Sequence, residues 1–183
     1  MEKMDLKKSR SLMYVRRLNF ERCNRYENVA EHSFYVGIMA YQLAYQLGLG
    51  EAEARYCLKM GLMHDLPEAV TGDIPFLTRR AMGKAMCIGI DDMGSQEIGV
   101  SLGTDRRTLE IVQIADILEF TLYLKEELRS GNHALTDIYA ETLGRLAEYL
   151  NFDRYATYIC SVLDMSADTI KKASKELPNA IKH

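Results

Sequence analysis

The chain of 183 residues contains no tryptophan and only three prolines, Pro67, Pro75 and Pro178. Its four cysteines stand singly, without a C-x-x-C pair, and we interpret them as free thiols in a reducing compartment. No apolar run approaches the roughly 18–20 residues of a membrane span, and the start lacks the apolar core of a secretory signal. The net charge of −3 gives no reason to expect binding to nucleic acid polymers or membranes. We therefore expect a cytoplasmic protein.

Helical spacing of apolar residues runs through almost the whole sequence, and no segment alternates with the period of a strand. The length suits one domain, and neither a low-complexity linker nor an internal repeat divides it. The pattern therefore predicts an all-α fold with a single domain over 1–183.

Capping residues and glycines delimit the expected helices. Asn28, with Glu31 three residues later, makes a start that resembles a capping box, and Gly48 ends that helix. Thr104 is the expected cap of a later helix that ends near Gly131. The first expected helix ends with residues 13–18, and a short one begins at 76. The longer expected helices cover 28–47, 51–64, 104–131, 133–150 and 153–176. Residues 88–103, which include four glycines, predict a loop and a short helix.

The stretch MGLMHDLPEAVTGDIP, residues 60–75, places an imidazole beside a carboxylate where an apolar helix ends. Adjacent side chains in mid-helix diverge by about 100°, so His64 and Asp65 would not easily reach one ion there. Pro67 favours a helix break, and we expect the backbone to leave helical dihedrals so that both side chains converge. Imidazole with carboxylate suits zinc, manganese, cobalt or iron better than calcium.

Two further residues fit poorly in a plain helical bundle. His32 lies in the first turn of its helix and is either an ordinary core histidine or a ligand. Asp116 follows Val112 and precedes Phe120 on one apolar helix face. A buried carboxylate costs several kcal/mol unless a cation or hydrogen bonds compensate it. Either an arginine or a metal ion would meet that need.

The combination resembles the HD-domain metal-dependent phosphohydrolases, whose signature is H…HD…D. Here that signature corresponds to His32, His64, Asp65 and Asp116. The strings RRLNFERCNRYENVAEHS and HDLPEAVTGDIP are similar to the 5'-deoxynucleotidase branch, and the compact phage dATP triphosphohydrolases are similar too. The resemblance covers about residues 10–125 and implies an HD-domain helical bundle, with 132–183 as packing helices.

The resemblance implies a divalent cation held by those four residues. Zinc, cobalt or manganese would suit them, with magnesium as an alternative. Glu68, three residues after Asp65, is the implied general acid or base. Asp73 either orients the nucleophile or shapes the turn beside Gly72.

Expected substrate contacts come from two segments. Arg17, fifteen residues before His32, matches the family's arginine, but Leu18 stands where the 5'-deoxynucleotidases have a tryptophan linked to sugar discrimination. Phe20 offers an aromatic surface for the sugar or base. The basic residues Arg79, Arg80 and Lys84 either hold a chain of phosphates or form a solvated face.

The compact chain and the basic residues favour a triphosphohydrolase that converts a deoxynucleoside triphosphate, of the dATP type, into deoxynucleoside and triphosphate. The alternative is a 5'-deoxynucleotidase that releases phosphate from monophosphates. A second alternative is a non-catalytic HD module that binds nucleotides or regulates a partner. The resemblance also implies a homo-oligomer, dimeric or larger, in a bacterial cytosol or that of a phage-infected host.

Overall fold

The structure, a computed structural model, describes residues 4–100 and 105–180. Within these ranges the chain is helical without any strand, which confirms the expected all-α fold. Arg16 and Asn28 form an isolated antiparallel β-bridge. The α-helices are α1 (Leu6–Ser9), α2 (Val29–Gln46), α3 (Glu51–Met63), α4 (Glu68–Thr71), α5 (Phe76–Met82), α6 (Lys84–Ile98), α7 (Arg106–Arg129), α8 (Thr136–Tyr149), α9 (Asp153–Leu163) and α10 (Ala167–Ala180), and 3-10 turns occupy Arg10–Tyr14 and His133–Leu135.

The start and end of α2 follow the sequence prediction. The Asn28 side chain accepts from the Glu31 backbone N–H while the Glu31 carboxylate accepts from the Asn28 N–H, which is a complete capping box. Gly48 has a φ of 72° just beyond the helix. Glycine adopts this left-handed conformation without steric cost, so the helix ends there.

Backbone contact between α2 and α3 sets the distance between the two histidine-bearing segments. A Cβ added to Gly61 would lie 2.7 Å from Gly37 Cα and 3.0 Å from the Val36 carbonyl oxygen. Only glycine at position 61 permits so close an approach. The pairing therefore holds the end of α3 against the first turns of α2.

Helix α7 forms the centre of the core. It contacts α2, α3, α8 and α9, and α10 packs on α8. Burial of an isoleucine or leucine stabilises the fold by about 1.5–3 kcal/mol per side chain. The side chains of α7 that are at most 2% exposed include Ile111, Ile114, Ile117, Leu118 and Leu124.

Three predicted segments differ from the structure, two near the N-terminal half of the chain and one near its C-terminal end. The first helical segment ends at Tyr14 rather than at 18, because the chain then extends to form the bridge to Asn28. Residues 88–98 all belong to α6 rather than to the expected loop and short helix. Glycine lowers helix propensity, but Gly94 is needed in α6 because an added Cβ would lie 2.7 Å from the Pro67 carbonyl oxygen.

The expected helix over 153–176 is two helices. Asp164 takes a left-handed conformation with a φ of 50° and ends α9. Ser166 then accepts a hydrogen bond from the Thr169 N–H and so starts α10. Thr104, the expected cap of α7, lies outside the described residues, and Asp105 caps that helix through the Thr108 N–H.

In the described part of the chain, every helix is too short or too polar to cross a lipid bilayer.

Candidate metal and phosphate site

The four residues of the H…HD…D pattern meet between α2, α3 and α7. His32 Nε2 lies 3.2 Å from Asp116 Oδ1 and 3.6 Å from Asp65 Oδ2. His64 Nε2 lies 3.1 Å from the same Asp65 oxygen. One ligand atom each from His32, His64 and Asp65 lies within 4.8 Å of the other two. Three separate chain segments therefore deliver two imidazoles and two carboxylates to one place.

The other ring nitrogen of each histidine is already engaged. His32 Nδ1 contacts the Glu119 carboxylate, and His64 Nδ1 donates to the Gly61 carbonyl oxygen over 2.7 Å. Hydrogen bonds of this kind fix the tautomer and direct the lone pair of Nε2 away from the bond. Both Nε2 atoms are buried and, among the described residues, form no hydrogen bond of acceptable geometry.

A divalent cation fits this arrangement. A buried nitrogen without a partner costs about 1–3 kcal/mol, and two imidazole nitrogens with two carboxylates are a donor set suited to first-row metal ions. Burial opposes a charge on His64, but the Asp65 and Asp116 carboxylates outweigh it and raise its pKa to about 9. Burial likewise opposes ionisation of Asp65, yet the His64 ring lowers the pKa of that carboxyl. The pocket thus attracts positive charge.

His64 and Asp65 lie in a turn that directly follows α3. The helix ends at Met63, close to the predicted break, although His64 itself keeps helical dihedrals, with φ −62° and ψ −35°. Two backbone hydrogen bonds between residues three apart close this turn, from the Leu66 N–H to the Met63 carbonyl oxygen and from the Glu68 N–H to the Asp65 carbonyl oxygen. Leu66 anchors it by packing in a small apolar cluster with Leu12, Val29, Ile98 and Val100.

Sequence reasoning missed a charged network behind His32. Arg17 Nη1 lies 3.2 Å from Glu119 Oε2 and 3.5 Å from Glu27 Oε2. Glu119 is 5% exposed and Glu27 is 3% exposed. His32, Glu27 and Glu119 have the spacing of a second metal site, but the Arg17 guanidinium already supplies the cation. Glu119 lies one turn after Asp116 on the same apolar helix, a pattern that could have indicated it.

Three of the four residues, His64, Asp65 and Asp116, line a cavity of about 590 Å³, and His32 is buried behind them. A volume of this size suits a nucleotide-sized ligand. The charged lining comprises eight carboxylates, from Glu21, Asp65, Glu68, Asp73, Asp91, Asp116, Asp137 and Glu141, and three arginines, Arg17, Arg79 and Arg145. The cavity is therefore predominantly acidic.

The two carboxylic acids expected to act in catalysis both line this cavity. Burial, together with the charges of Asp65 and Asp73, raises the pKa of Glu68 to about 9. Burial also raises the pKa of Asp73, although Arg17 opposes the shift. Without a bound cation, this environment therefore favours the protonated form of Glu68.

The expected substrate-binding residues divide into two groups. Arg17, Leu18 and Phe20 line the cavity, and Leu18 has an unusual positive φ of 47°. An Asn19 side-chain N–H bonds the Asp73 carbonyl oxygen over 2.9 Å and ties this segment to the turn after α4. The two sequence segments therefore form one continuous wall.

The basic cluster after the turn does not assemble around the cavity. Arg79 forms a two-point ion pair with Asp91, at 3.1 and 2.9 Å, and lies 3.9 Å from Glu68. Arg80 and Lys84 are exposed and do not belong to the described cavity lining. The interpretation of these two as a solvated basic face fits their positions.

Helix α8, expected only to pack, forms the remaining wall. Ile138, Glu141, Thr142 and Arg145 all line the cavity. They come from the C-terminal third of the chain, which the family resemblance did not cover. Their spacing along the sequence places these four residues on one face of α8, and this pattern could have indicated that the helix forms a cavity wall.

Comparison with known proteins shows which fold this chain shares. Residues 10–87 match the family model of the HD domain. The structure is similar to an HD-domain phosphohydrolase from Listeria innocua, with a TM-score of 0.68 and 18% identity over 95% of this chain and 96% of that one. Residues 10–87 are therefore similar to an HD domain, and the chain shares its fold with this phosphohydrolase.

Two further solved structures share this fold. The cyanophage S-2L HD phosphohydrolase DatZ, bound to dA and one catalytic Zn2+ ion, gives a TM-score of 0.66 at 17% identity over 94% of this chain and 99% of that one. A conserved hypothetical protein from Pyrococcus furiosus gives 0.66 at 19% identity over 91% and 97%. The sequence finds no match among curated proteins.

Proposed function

We propose that this protein is a metal-dependent phosphohydrolase that removes the 5'-phosphate of deoxynucleoside monophosphates. The observation that carries the proposal is the convergence of two buried imidazole Nε2 atoms, from His32 and His64, with the carboxylates of Asp65 and Asp116, although neither nitrogen forms a hydrogen bond of acceptable geometry among the described residues. They lie beside a cavity of about 590 Å³. The dA and Zn2+ bound to the DatZ neighbour support a nucleoside and a metal ion as the ligands of such a site.

In this proposal His32, His64, Asp65 and Asp116 hold the cation. When bound, a divalent ion polarises a phosphoryl oxygen and makes water more acidic. Zinc, cobalt and manganese all suit two histidines and two carboxylates, with magnesium as an alternative. Glu119 positions His32 through Nδ1, and the Gly61 carbonyl positions His64 in the same way.

The chain's own residues supply the proton transfers and the charge that the reaction needs. Protonated Glu68 gives its proton to the leaving 5'-oxygen as the phosphorus–oxygen bond breaks. Asp73 orients the attacking water from the same wall. Arg17 neutralises charge on the transferred phosphate, since it points into the cavity from between Glu27 and Glu119.

The charge of the cavity favours a monophosphate over the triphosphate that the sequence favoured. Arg17 is paired with Glu119 and Arg79 with Asp91, while Arg80 and Lys84 lie away from the described lining. A triphosphate brings more negative charge than a monophosphate and needs further cations to bind. An acidic cavity in which two of the three lining arginines, Arg17 and Arg79, are already paired does not provide them.

Product analysis tests the proposal. The protein is incubated with dAMP, dGMP and dATP in the presence of Mn2+, Co2+ or Zn2+, and orthophosphate is separated from triphosphate. We expect orthophosphate from the monophosphates and none from metal-free protein. Release of triphosphate from dATP at a higher rate would overturn the choice of a monophosphate. Absence of any product with every ion would reject the hydrolase and favour the nucleotide-binding module.

The expected homo-oligomer stays a prediction. Size-exclusion chromatography with light scattering measures it directly.

A further inference from the structure

Arg145 is the arginine of the cavity lining that has no carboxylate partner. The side chain is half-buried in the α8 wall. Within residues 4–100 and 105–180 it forms neither an ion pair nor a hydrogen bond, whereas Arg17 and Arg79 are both ion-paired. A guanidinium held in a cavity wall without a partner has five donors to offer to a ligand.

The residues around Arg145 argue against a phosphate as its ligand. Glu141, one turn earlier on α8, lines the same wall, and Asp137 lies one turn before that. Both carboxylates would repel a phosphate group. Glu141 also makes no ion pair with Arg145, although residues four apart on a helix are neighbours. The α8 wall thus presents the hydrogen-bond donors of Arg145 beside the acceptors of Glu141. This arrangement suits a neutral part of a ligand that carries both acceptors and donors.

A nucleobase is the part of a nucleotide with such an edge. Arginine donates to the O6 and N7 atoms of guanine in the commonest specific contact with a base. Guanine also presents adjacent N1–H and N2–H donors, which match the two oxygens of a carboxylate. The apolar side chains of Ile117, Phe120 and Ile138 line the same cavity and provide a surface for the flat ring.

We infer that the α8 wall recognises the base of the substrate and selects guanine, with Arg145 donating to O6 and N7 and Glu141 accepting from N1–H and N2–H. This inference rests on the proposed function, because it assigns the base of that nucleotide. Glu141 is exposed and Arg145 is half-buried, so Arg145 carries more of the selectivity. The expected preference for deoxyguanosine over deoxyadenosine is about tenfold to a hundredfold in affinity.

Binding and hydrolysis are measured separately. Calorimetry gives the affinities of deoxyguanosine, deoxyadenosine and deoxycytidine, and phosphate release gives kcat/KM for dGMP, dAMP and dCMP. The variants are Arg145→Ala, Arg145→Lys and Glu141→Gln. Lysine keeps the charge but not the two-point geometry. Glu148→Gln on the same helix and Arg106→Ala on α7 are the controls, because both side chains are exposed and outside the cavity lining.

We expect Arg145→Ala and Arg145→Lys to abolish the guanine preference, Glu141→Gln to reduce it, and both controls to keep it. Equal affinity of wild type for the three nucleosides would overturn the inference. The inference would also be overturned if Arg145→Lys lost the same affinity for every base, or if its loss of affinity grew with the number of phosphates. Selective binding of deoxyguanosine without hydrolysis of dGMP would reject the proposed function and leave the inference standing.

Discussion

The carboxylate of Glu119 contacts Nδ1 of His32, and the same carboxylate receives the Arg17 guanidinium at 3.2 Å. One buried acid therefore joins a proposed metal ligand to a proposed phosphate-binding residue. Because Glu119 holds the ring of His32 at Nδ1, the opposite nitrogen, Nε2, faces Asp65 and Asp116. Carboxylate–histidine contacts of this kind raise the basicity of a ligand and fix its ring.

Replacement of Glu119 by glutamine should weaken metal binding by about tenfold to a hundredfold. The amide keeps the shape of the side chain but loses the charge that orients His32 and Arg17. Calorimetric titration of metal-free protein with Zn2+ or Mn2+ measures the change. Glu126→Gln is the matched control, since Glu126 is an exposed residue on the same helix. Unchanged affinity in Glu119→Gln would show that the contact does not support the metal.

The helical fold was accessible from sequence because local rules determine it, and the four central residues were accessible because they match the H…HD…D signature. The capping box of Asn28 and Glu31 set the start of α2, and His64, Asp65 and Asp116 stood out as polar groups in apolar helices. Long-range packing was not accessible in this way. The four glycines of 88–103 favoured a loop and a short helix, whereas the contact of Gly94 with Pro67 is what requires glycine within α6.

Charge pairing was the second feature beyond the reach of the sequence. Arg79 looked like a phosphate ligand, but Asp91, twelve residues later, takes both of its donors. Arg145 belongs to the segment 132–183, which was expected only to pack, yet it lines the cavity. Whether an arginine is paired depends on which acid the tertiary fold brings to it, and spacing along one helix does not contain that information.

Glu68→Gln should abolish most turnover and keep metal binding, because the amide cannot give a proton to the leaving oxygen. Phosphate release from dGMP and calorimetric titration with Mn2+ measure the two effects. Normal rates in this variant would remove Glu68 from the mechanism, and lost metal affinity would make it a ligand instead.

The same variant should change how stability depends on pH. The pKa of Glu68 is about 9 in the folded protein, above its ordinary value of 4.5, so the folded state binds this proton more tightly than the unfolded state. Glu68 therefore lowers the free energy of unfolding progressively from pH ~4.5 to ~9. Urea unfolding in EDTA should show a gap in the free energy of unfolding between Glu68→Gln and wild type that widens in favour of the variant as the pH rises from ~4.5 to ~9. A gap that stays constant across this range would contradict the assignment.

Gly61→Ala should destabilise the protein by about 1–3 kcal/mol, because its Cβ would lie 2.7 Å from Gly37 Cα and force α2 and α3 apart. Metal affinity should fall as well, since His64 bonds the Gly61 carbonyl oxygen. Thermal unfolding and metal titration measure both changes. Gly89→Ala in α6 is the control. Nothing lies within 4 Å of its added Cβ, and alanine there should stabilise the helix by up to about 1 kcal/mol.

Asp91→Asn tests whether pairing of the arginines excludes polyphosphates from the cavity. The amide loses the negative charge that now holds Arg79 at two points, so the guanidinium becomes available to a ligand phosphate. We expect the affinity for dATP to rise several-fold while that for dAMP changes little, because the additional phosphates gain most from the freed cation. Calorimetry with metal-free protein measures both. Asp92→Asn provides a matched control, since the neighbouring carboxylate is exposed and lies outside the described cavity lining. An equal gain in both variants would indicate only a general charge effect, whereas a gain confined to Asp91→Asn would identify the Arg79–Asp91 pair as the barrier to triphosphates.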